Sequence, residues 1–368
     1  MASAFRPSLG GADVDFRPSS AQQLLIATAR DFLSKHGDDA RLWSAMSELG
    51  WPGLLVPAEY GGSAGSILDV VLLVEELGRA AAPGPFVASA VVATSILLAA
   101  GTAEQRKRLL PGLASGERTV AVAVLDDGGS FDPARVSLAV TADGRLTGSK
   151  LFVEAADVAE AVLVVVRVDG EPAVLLIPTD RPGVSRLPLE TIGTEPVFEV
   201  AFDDVRVAAG DRLHPLGADA ERLRTALNAG ALARTAEMVG AAQRVLELAV
   251  EHARTRVQGG RPIGGYQAIQ HACADLVRDV DASRGLLYAA AWRLAEGEPA
   301  GTDVALAKAY AGEACLTVAR RGHQIFGAIG YCDEHPLHIL HKRILAASLD
   351  CGDATLHLET VAQAIGLR

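Results

Sequence analysis

Near residue 118 the pattern of this chain changes, and near residue 213 it changes back. Before the first point the apolar residues recur at helical spacing. "SAQQLLIATARDFLSKHG" opens on Ser20 as a cap and sets Leu24, Leu25, Ala27 and Phe32 near one face. "DVVLLVEELGRAA" and "AEQRKRLLPGLASG" continue the pattern, and the Pro- and Gly-punctuated "GWPGLLVPAEYGG" reads as a turn-rich connection. Between the two change points lie Val-rich runs broken by Gly and Asp, among them "RTVAVAVLD", "GRLTGSKLFVEAA" and "AEAVLVVVRVDGEPAVLLIP", whose spacing suits a compact sandwich or barrel. From Glu221 onward four long helical segments follow, the last running to Arg368, and imply a four-helix bundle. The fold expected is α+β and mainly helical: an N-terminal helical domain over 1–117, a middle β-domain over 118–213 and a C-terminal helical bundle over 214–368.

Composition narrows the function. A chain of 368 residues, 49% of them apolar, is long enough for two or three domains. Abundant Gly and Ala with only 5% aromatics favour closely packed helices. The net charge of −11 argues against a protein that neutralises nucleic-acid phosphate. Cys273, Cys315, Cys332 and Cys351 lack CxxC spacing, so reduced thiols in a cytoplasmic protein fit better than a disulfide scaffold or zinc ribbon. The first twenty residues have no basic start followed by an apolar run, so a secretory signal is not expected. "PFVASAVVATSILLAAG" is apolar but short and rich in small residues, which points to a buried helix and no membrane span.

Several local sequences carry a resemblance that covers nearly the whole chain. "GWPGLLVPAEYGG" followed by "LVEELGRA", then "FDDVRVAAGDRL", "ARTRVQGGRPIGGYQAIQH" and "HQIFGAIGYCDEHPLH" stand in the order and at the intervals found in the acyl-CoA dehydrogenases, which this chain resembles. The resemblance implies FAD as cofactor, an acyl-CoA thioester as substrate and an electron-transferring flavoprotein as acceptor. It also implies a Glu that removes the proton alpha to the thioester while hydride passes from the beta carbon to the flavin.

Within that frame Arg256 stands where the family's pyrophosphate-binding arginine stands, with Gln258 two residues on. Gln267 and Gln324 match glutamines near the cofactor, and Gly327 and Gly330 let a loop approach the adenine half closely. Arg256 and that loop are implied to reach across to FAD on a neighbouring subunit. Other positions depart from the pattern. Leu125 in "VLDDGGSFD" replaces a flavin-facing Thr, with Asp126 and Asp127 in place of Glu-Pro, and only Gly128, Gly129 and Ser130 could offer backbone donors. "KLFVEAAD" stands where many members carry a flavin-shielding Trp-Ile-Thr, while Trp43, Trp51 and Trp292 lie elsewhere. Gly259-Gly260 replaces Phe-Gly.

The catalytic Glu has two usual places, and they fall on Cys351 in "SLDCGDATLH" and on Gly230 in "LNAGALA". Neither is a carboxylate. Asp350 and Asp353 are the nearby acids, either of which could serve as base in a shifted loop, although Asp353 also suits a helix cap before "ATLHLET". A metal site built from Asp350, Cys351, Asp353 and His357 lacks partners at a known spacing, so no metal is expected. Cys351 has no adjacent base to make it a nucleophile. Glu237, two turns beyond Gly230, reads as a structural partner for a buried Arg.

The losses gather around the flavin ring and the base, and the survivors are residues offered to a neighbour. The first expectation is therefore one subunit of an unequal acyl-CoA dehydrogenase pair. It would complete FAD sites whose Glu comes from a homologous chain, resembling actinobacterial-type enzymes that act on bulky steroid or branched side-chain thioesters. The alternatives are a self-sufficient homo-oligomer using Asp350 or Asp353, and a flavin-free structural or regulatory relative on the same scaffold.

Overall fold

The computed structural model describes residues 17–37, 41–216 and 220–367. Five α-helices come first: α1 (Ser20–His36), α2 (Leu42–Glu48), α3 (Ile67–Arg79), α4 (Thr94–Ala100) and α5 (Ala103–Ser115). "GWPGLLVPAEYGG" forms two short 3-10 turns, as its Pro and Gly residues suggest. The apolar run expected to be a buried helix is one: Phe86–Ala93 is a wide-wound π-helical segment, buried at every position, that continues into α4. No described helix is long and apolar enough to cross a membrane.

The start of α1 differs from expectation. Ser19, not Ser20, is the cap: its hydroxyl accepts from Gln22 N while the Gln22 side chain accepts from Ser19 N. The buried face is Ala29 and Leu33, with Leu25 and Phe32 half-buried, whereas Leu24 is 68% exposed and Ala27 is exposed too. The reason is that α1 meets the rest of the fold along a narrow i, i+4 stripe, on α3 and on the edge of Trp51, leaving apolar residues outside the stripe in water.

Six strands follow: β1 (Val120–Ala123), β2 (Arg145–Glu154), β3 (Ala161–Val168), β4 (Glu171–Pro178), β5 (Val184–Leu189) and β6 (Val197–Arg206). They make two three-stranded sheets, β1-β3-β4 and β2-β6-β5. β1 runs parallel to β3, and the other pairings are antiparallel. Val162, Val164, Leu175 and Ile177 of the first sheet share a core with Leu146, Val153, Val200 and Phe202 of the second, so the arrangement is a sandwich. The alternate residues Leu163, Val165, Val174 and Leu176 belong to the helical core. A strand covered on both faces has no polar side to show, which explains the unbroken "AVLVVV" of β3.

The remainder is helical: α6 (Glu221–Thr255), a hairpin of β7 (Val257–Gln258) and β8 (Arg261–Pro262), then α7 (Gln267–Ala295), α8 (Gly301–Phe326), α9 (Leu337–Leu349) and α10 (Ala354–Ala364). α6 to α9 pack on one another as the bundle, and α10 lies on α8. The last helix starts after Asp353 as its cap suggests, beyond a turn in which Cys351 (φ 56°) and Gly352 (φ 98°) leave helical geometry, while α9 before that turn is a helix additional to the four expected. Residues 229–242 of α6 are all buried, and most are Ala or Gly. Small side chains are needed there because α3 crosses α6 backbone to backbone: a Cβ on Gly240 would lie 1.8 Å from Glu75 O. The fold is α+β and mainly helical.

Candidate active site

A cavity of about 610 Å³ lies between the sandwich and the bundle. Three stretches singled out in the sequence border it together: Leu125 with Gly128–Ser130, Phe152 with Glu154 at the end of β2, and Asp350 with Gly352 and Asp353 in the turn between α9 and α10. Phe152 is the ring exposed where a Trp would stand (φ 54°, 54% exposed). Arg234 of α6 and Arg343 of α9 supply guanidiniums to its wall.

The two positions on which the resemblance places the base, Gly230 and Cys351, meet in space. A Cβ built on Gly230 would lie 3.1 Å from Cys351 Sγ and 2.7 Å from Val92 Cγ2. Positions on α6 and in the α9–α10 turn, far apart in sequence, therefore face one point, and neither carries a carboxylate. Burial pushes the Cys351 thiol well above its ordinary range, and Asp350 adds to the effect. A thiol held neutral in this way is a packing group and not a nucleophile. Lys308 fixes the turn from below by donating to Ser348 O (2.9 Å) and Gly352 O (2.8 Å), and burial lowers it to about 8. His357 lies with Nε2 3.0 Å from Cys351 O. Burial and Lys308 lower His357 to about 4, so it is neutral and, against a carbonyl, carries its proton on Nε2.

The acids around the cavity have distinct surroundings. Asp353 is exposed and caps α10, accepting from Leu356 N at 2.9 Å. Asp350 accepts from Cys351 N through Oδ1 (2.8 Å) and meets Arg234 Nε through Oδ2 (2.6 Å). Burial works to raise it, but Arg234 and the Cys351 amide outweigh that and hold it below the usual carboxylate range. Glu237 bridges Arg234 (2.7 Å) and Arg343 (3.0 Å), as expected of a partner for buried arginines. Arg343 also pairs with Glu195.

Glu154 is the residue that sequence reasoning missed. One of its oxygens pairs with Arg234 Nη2. Burial raises it to about 7 against the pull of Arg234, with Asp350 and Glu237 adding repulsion. The signal available was an isolated acid in the apolar "LFVEAA" at a strand end. Arg234 thus joins β2, α6 and the α9–α10 turn at one guanidinium. Among the described residues no cluster of three or more His, Cys, Asp or Glu could hold a metal ion.

The candidate cofactor residues gather elsewhere, and none lines the cavity. His252 stacks on Phe326 at 4.4 Å and so brings the end of α6 to the end of α8. Arg256 caps α6 one turn past His252; its side chain is exposed and has no partner among the described residues. Gln258 and Gln267 flank the same hairpin, and Gln324 and Gly327 (φ 66°) end α8; all are exposed. Gly259 (φ 59°) and Gly260 (φ 80°) turn the β7–β8 hairpin, and a Cβ on Gly259 would meet Tyr266 Oη at 2.4 Å. A Phe in this backbone conformation would be strained and crowded.

These donor sets differ in their fit to FAD. The exposed end, with a free guanidinium, side-chain amides and an open glycine loop, suits the pyrophosphate and adenine half. In the cavity the Leu125 side chain offers no hydrogen bond, and among the described residues Arg234 and Arg343 are engaged with carboxylates in its wall while Arg135 meets Glu359 at the exposed rim.

Helices, a β-sandwich and a helical bundle around an interdomain cavity define a flavin-dependent dehydrogenase fold. Residues 19–117 match the acyl-CoA dehydrogenase N-terminal domain and residues 220–366 the acyl-CoA dehydrogenase C-terminal domain. The chain belongs to the acyl-CoA dehydrogenase family: it is an oxidoreductase, and FAD is its cofactor. It is 31% identical to acyl-CoA dehydrogenase FadE12 of Mycobacterium tuberculosis over 83% of this chain and 82% of that protein. Among solved structures it is similar to butyryl-CoA dehydrogenase from Megasphaera elsdenii (TM-score 0.88, 26% identity, 96% of this chain and 100% of that one). It is also similar to the ChsE4-ChsE5 complex from Mycobacterium tuberculosis (TM-score 0.87, 30% identity, 96% and 99%).

Proposed function

We propose that this chain is a subunit of an unequal-subunit acyl-CoA dehydrogenase, which desaturates an acyl-CoA thioester at the alpha and beta carbons. It completes a partner's FAD site with Arg256, Gln258, Gln267, Gln324 and Gly327, while a homologous subunit supplies the catalytic Glu. The observation that carries this reading is the pairing of Gly230 with Cys351: both usual base positions converge and both are empty of carboxylate. The unpaired, exposed Arg256 supports it from the other side, and so does similarity to a solved structure that is itself a complex. The acyl group is proposed to be bulky, a steroid side chain among the candidates, as in the pairs the sequence resembles. Electrons would pass to an electron-transferring flavoprotein, and the assembly would be cytoplasmic.

The test is FAD stoichiometry by absorbance on the chain expressed alone and with Glu-bearing partners. Half an FAD per chain, present only with a partner and lost in Arg256→Leu, is the expected result. One FAD per chain in the chain alone would sink the reading in favour of a self-sufficient enzyme, and no FAD with any partner would leave a structural or regulatory role.

A further inference from the structure

Among the described residues, every carboxylate in the inner wall of the cavity except one has both oxygens engaged. Asp350 gives one to Cys351 N and one to Arg234. Glu237 gives one to each of two arginines. Glu195, on the far wall, gives one to Arg343 and one to Gly84 N. Asp353 and Glu359 are exposed at the rim, the first engaged as a cap and the second by Arg135. Glu154 differs. Oε2 meets Arg234, while Oε1 has no partner among the described residues, and the side chain keeps 21% exposure. It borders both the large cavity and the small void that Arg234, Asp350, Cys351 and Val92 also line. Glu154 therefore borders, from the strand side, the void that Cys351 lines from the helix side, with Gly230 packed behind Cys351 and Val92.

We propose that Glu154 is the proton-accepting group of this chain's own cavity, able to take the alpha proton of a short acyl thioester bound there. The inference rests on the reading that an acyl-CoA is this protein's ligand, and goes beyond it by giving the chain a base at neither usual position. The C–H bond breaks, its electron pair enters the thioester as an enolate, and the proton goes to Oε1. Return of a proton from the carboxyl to the alpha carbon restores the thioester, so no oxidant is consumed. Arg234 holds the carboxylate in place through Oε2 and leaves Oε1 to the ligand. A carboxyl raised to about 7 is half ionised near neutrality, where a general base works best.

Exchange of the alpha hydrogens with deuterium oxide reads this step without flavin reduction. The full chain, expressed alone, is mixed with butyryl-CoA or 3-thiabutyryl-CoA in deuterium oxide, and the thioester is followed by mass spectrometry. Binding of each thioester is measured in parallel by equilibrium dialysis. The expected result is exchange above the buffer rate, rising with pH through about 7, and slowed at least ~100-fold in Glu154→Gln with binding retained. Glu154→Asp, which keeps the charge on a shorter arm, should keep the pH profile at a reduced rate. Binding without exchange, or exchange that persists in a folded Glu154→Gln, overturns the proposal. Absence of binding overturns it together with the acyl-CoA reading for this cavity, while leaving the FAD-completing role to its own stoichiometry test.

Discussion

Arg234→Ala removes the one cation shared by Glu154, Asp350 and Glu237, and so tests whether the seam between sandwich and bundle is held electrostatically. Breaking a buried pair by deleting one partner costs about 3–5 kcal/mol, because the other charge is left unpaired. Three carboxylates do not triple that figure, since their losses share one centre. Glu237 keeps Arg343, and Asp350 is 31% exposed and keeps the Cys351 amide. These retained partners put the expected loss near the lower bound, about 3 kcal/mol at pH 8. The orphaned acids can relieve the strain by taking up protons. While the variant holds one proton more than the parent, the gap narrows by up to about 1.4 kcal/mol per pH unit as pH falls. Urea unfolding at pH 8 and pH 5.5 measures both quantities. A loss below about 1 kcal/mol at pH 8, or an equal loss at both pH values, would refute the hub.

Three further outcomes follow from particular contacts. Glu154 stands at about 7 in the folded chain against an ordinary 4.5, so between those values the folded state binds the extra proton and stability falls as pH rises. Glu154→Gln should remove that fall, and thermal melts from pH 5 to 7.5 that keep the parent's slope would count against it. Asp353→Ala deletes the cap of α10 and should lower stability by about 1 kcal/mol, with faster amide exchange at Leu356; an unchanged amide would contradict the capping role. Gly240→Ala sets a methyl against Glu75 O and Arg79 N and should cost about 3 kcal/mol, whereas Gly230→Ala meets only the side chains of Val92 and Cys351 and should cost about 1 kcal/mol. The reverse order in denaturant midpoints would mean that the α3–α6 crossing is looser than its geometry.

Periodicity located the helical and strand regions, because it records which side chains must leave water. The Val-rich runs became two facing sheets, and the "PFVASAVVA" run was buried along its length. It could not set the face of α1, where Leu24 reads like Leu25 but only a neighbour's position decides which is covered. Nor did it show α9 as a helix of its own ahead of the turn at Cys351 and Gly352, although Asp353 marked the start of the helix after that turn.

The candidate site divides in the same way. Arg256, Gln267, Gln324 and Gly327 are candidates that local motifs carry, and Asp353 was legible as a cap because capping is settled within four residues. That Gly230 and Cys351 face each other, that Arg234 gathers three carboxylates, and that Glu154 keeps one oxygen free are facts of through-space geometry. A carboxyl's charge state depends on burial and on charges within a few ångströms, and residues 154, 234, 237 and 350 come that close only when the sandwich closes on the bundle. The sequence by itself determined which surfaces must be buried and in what order the layers come; the tertiary structure alone decided which acid in the cavity could hold a proton.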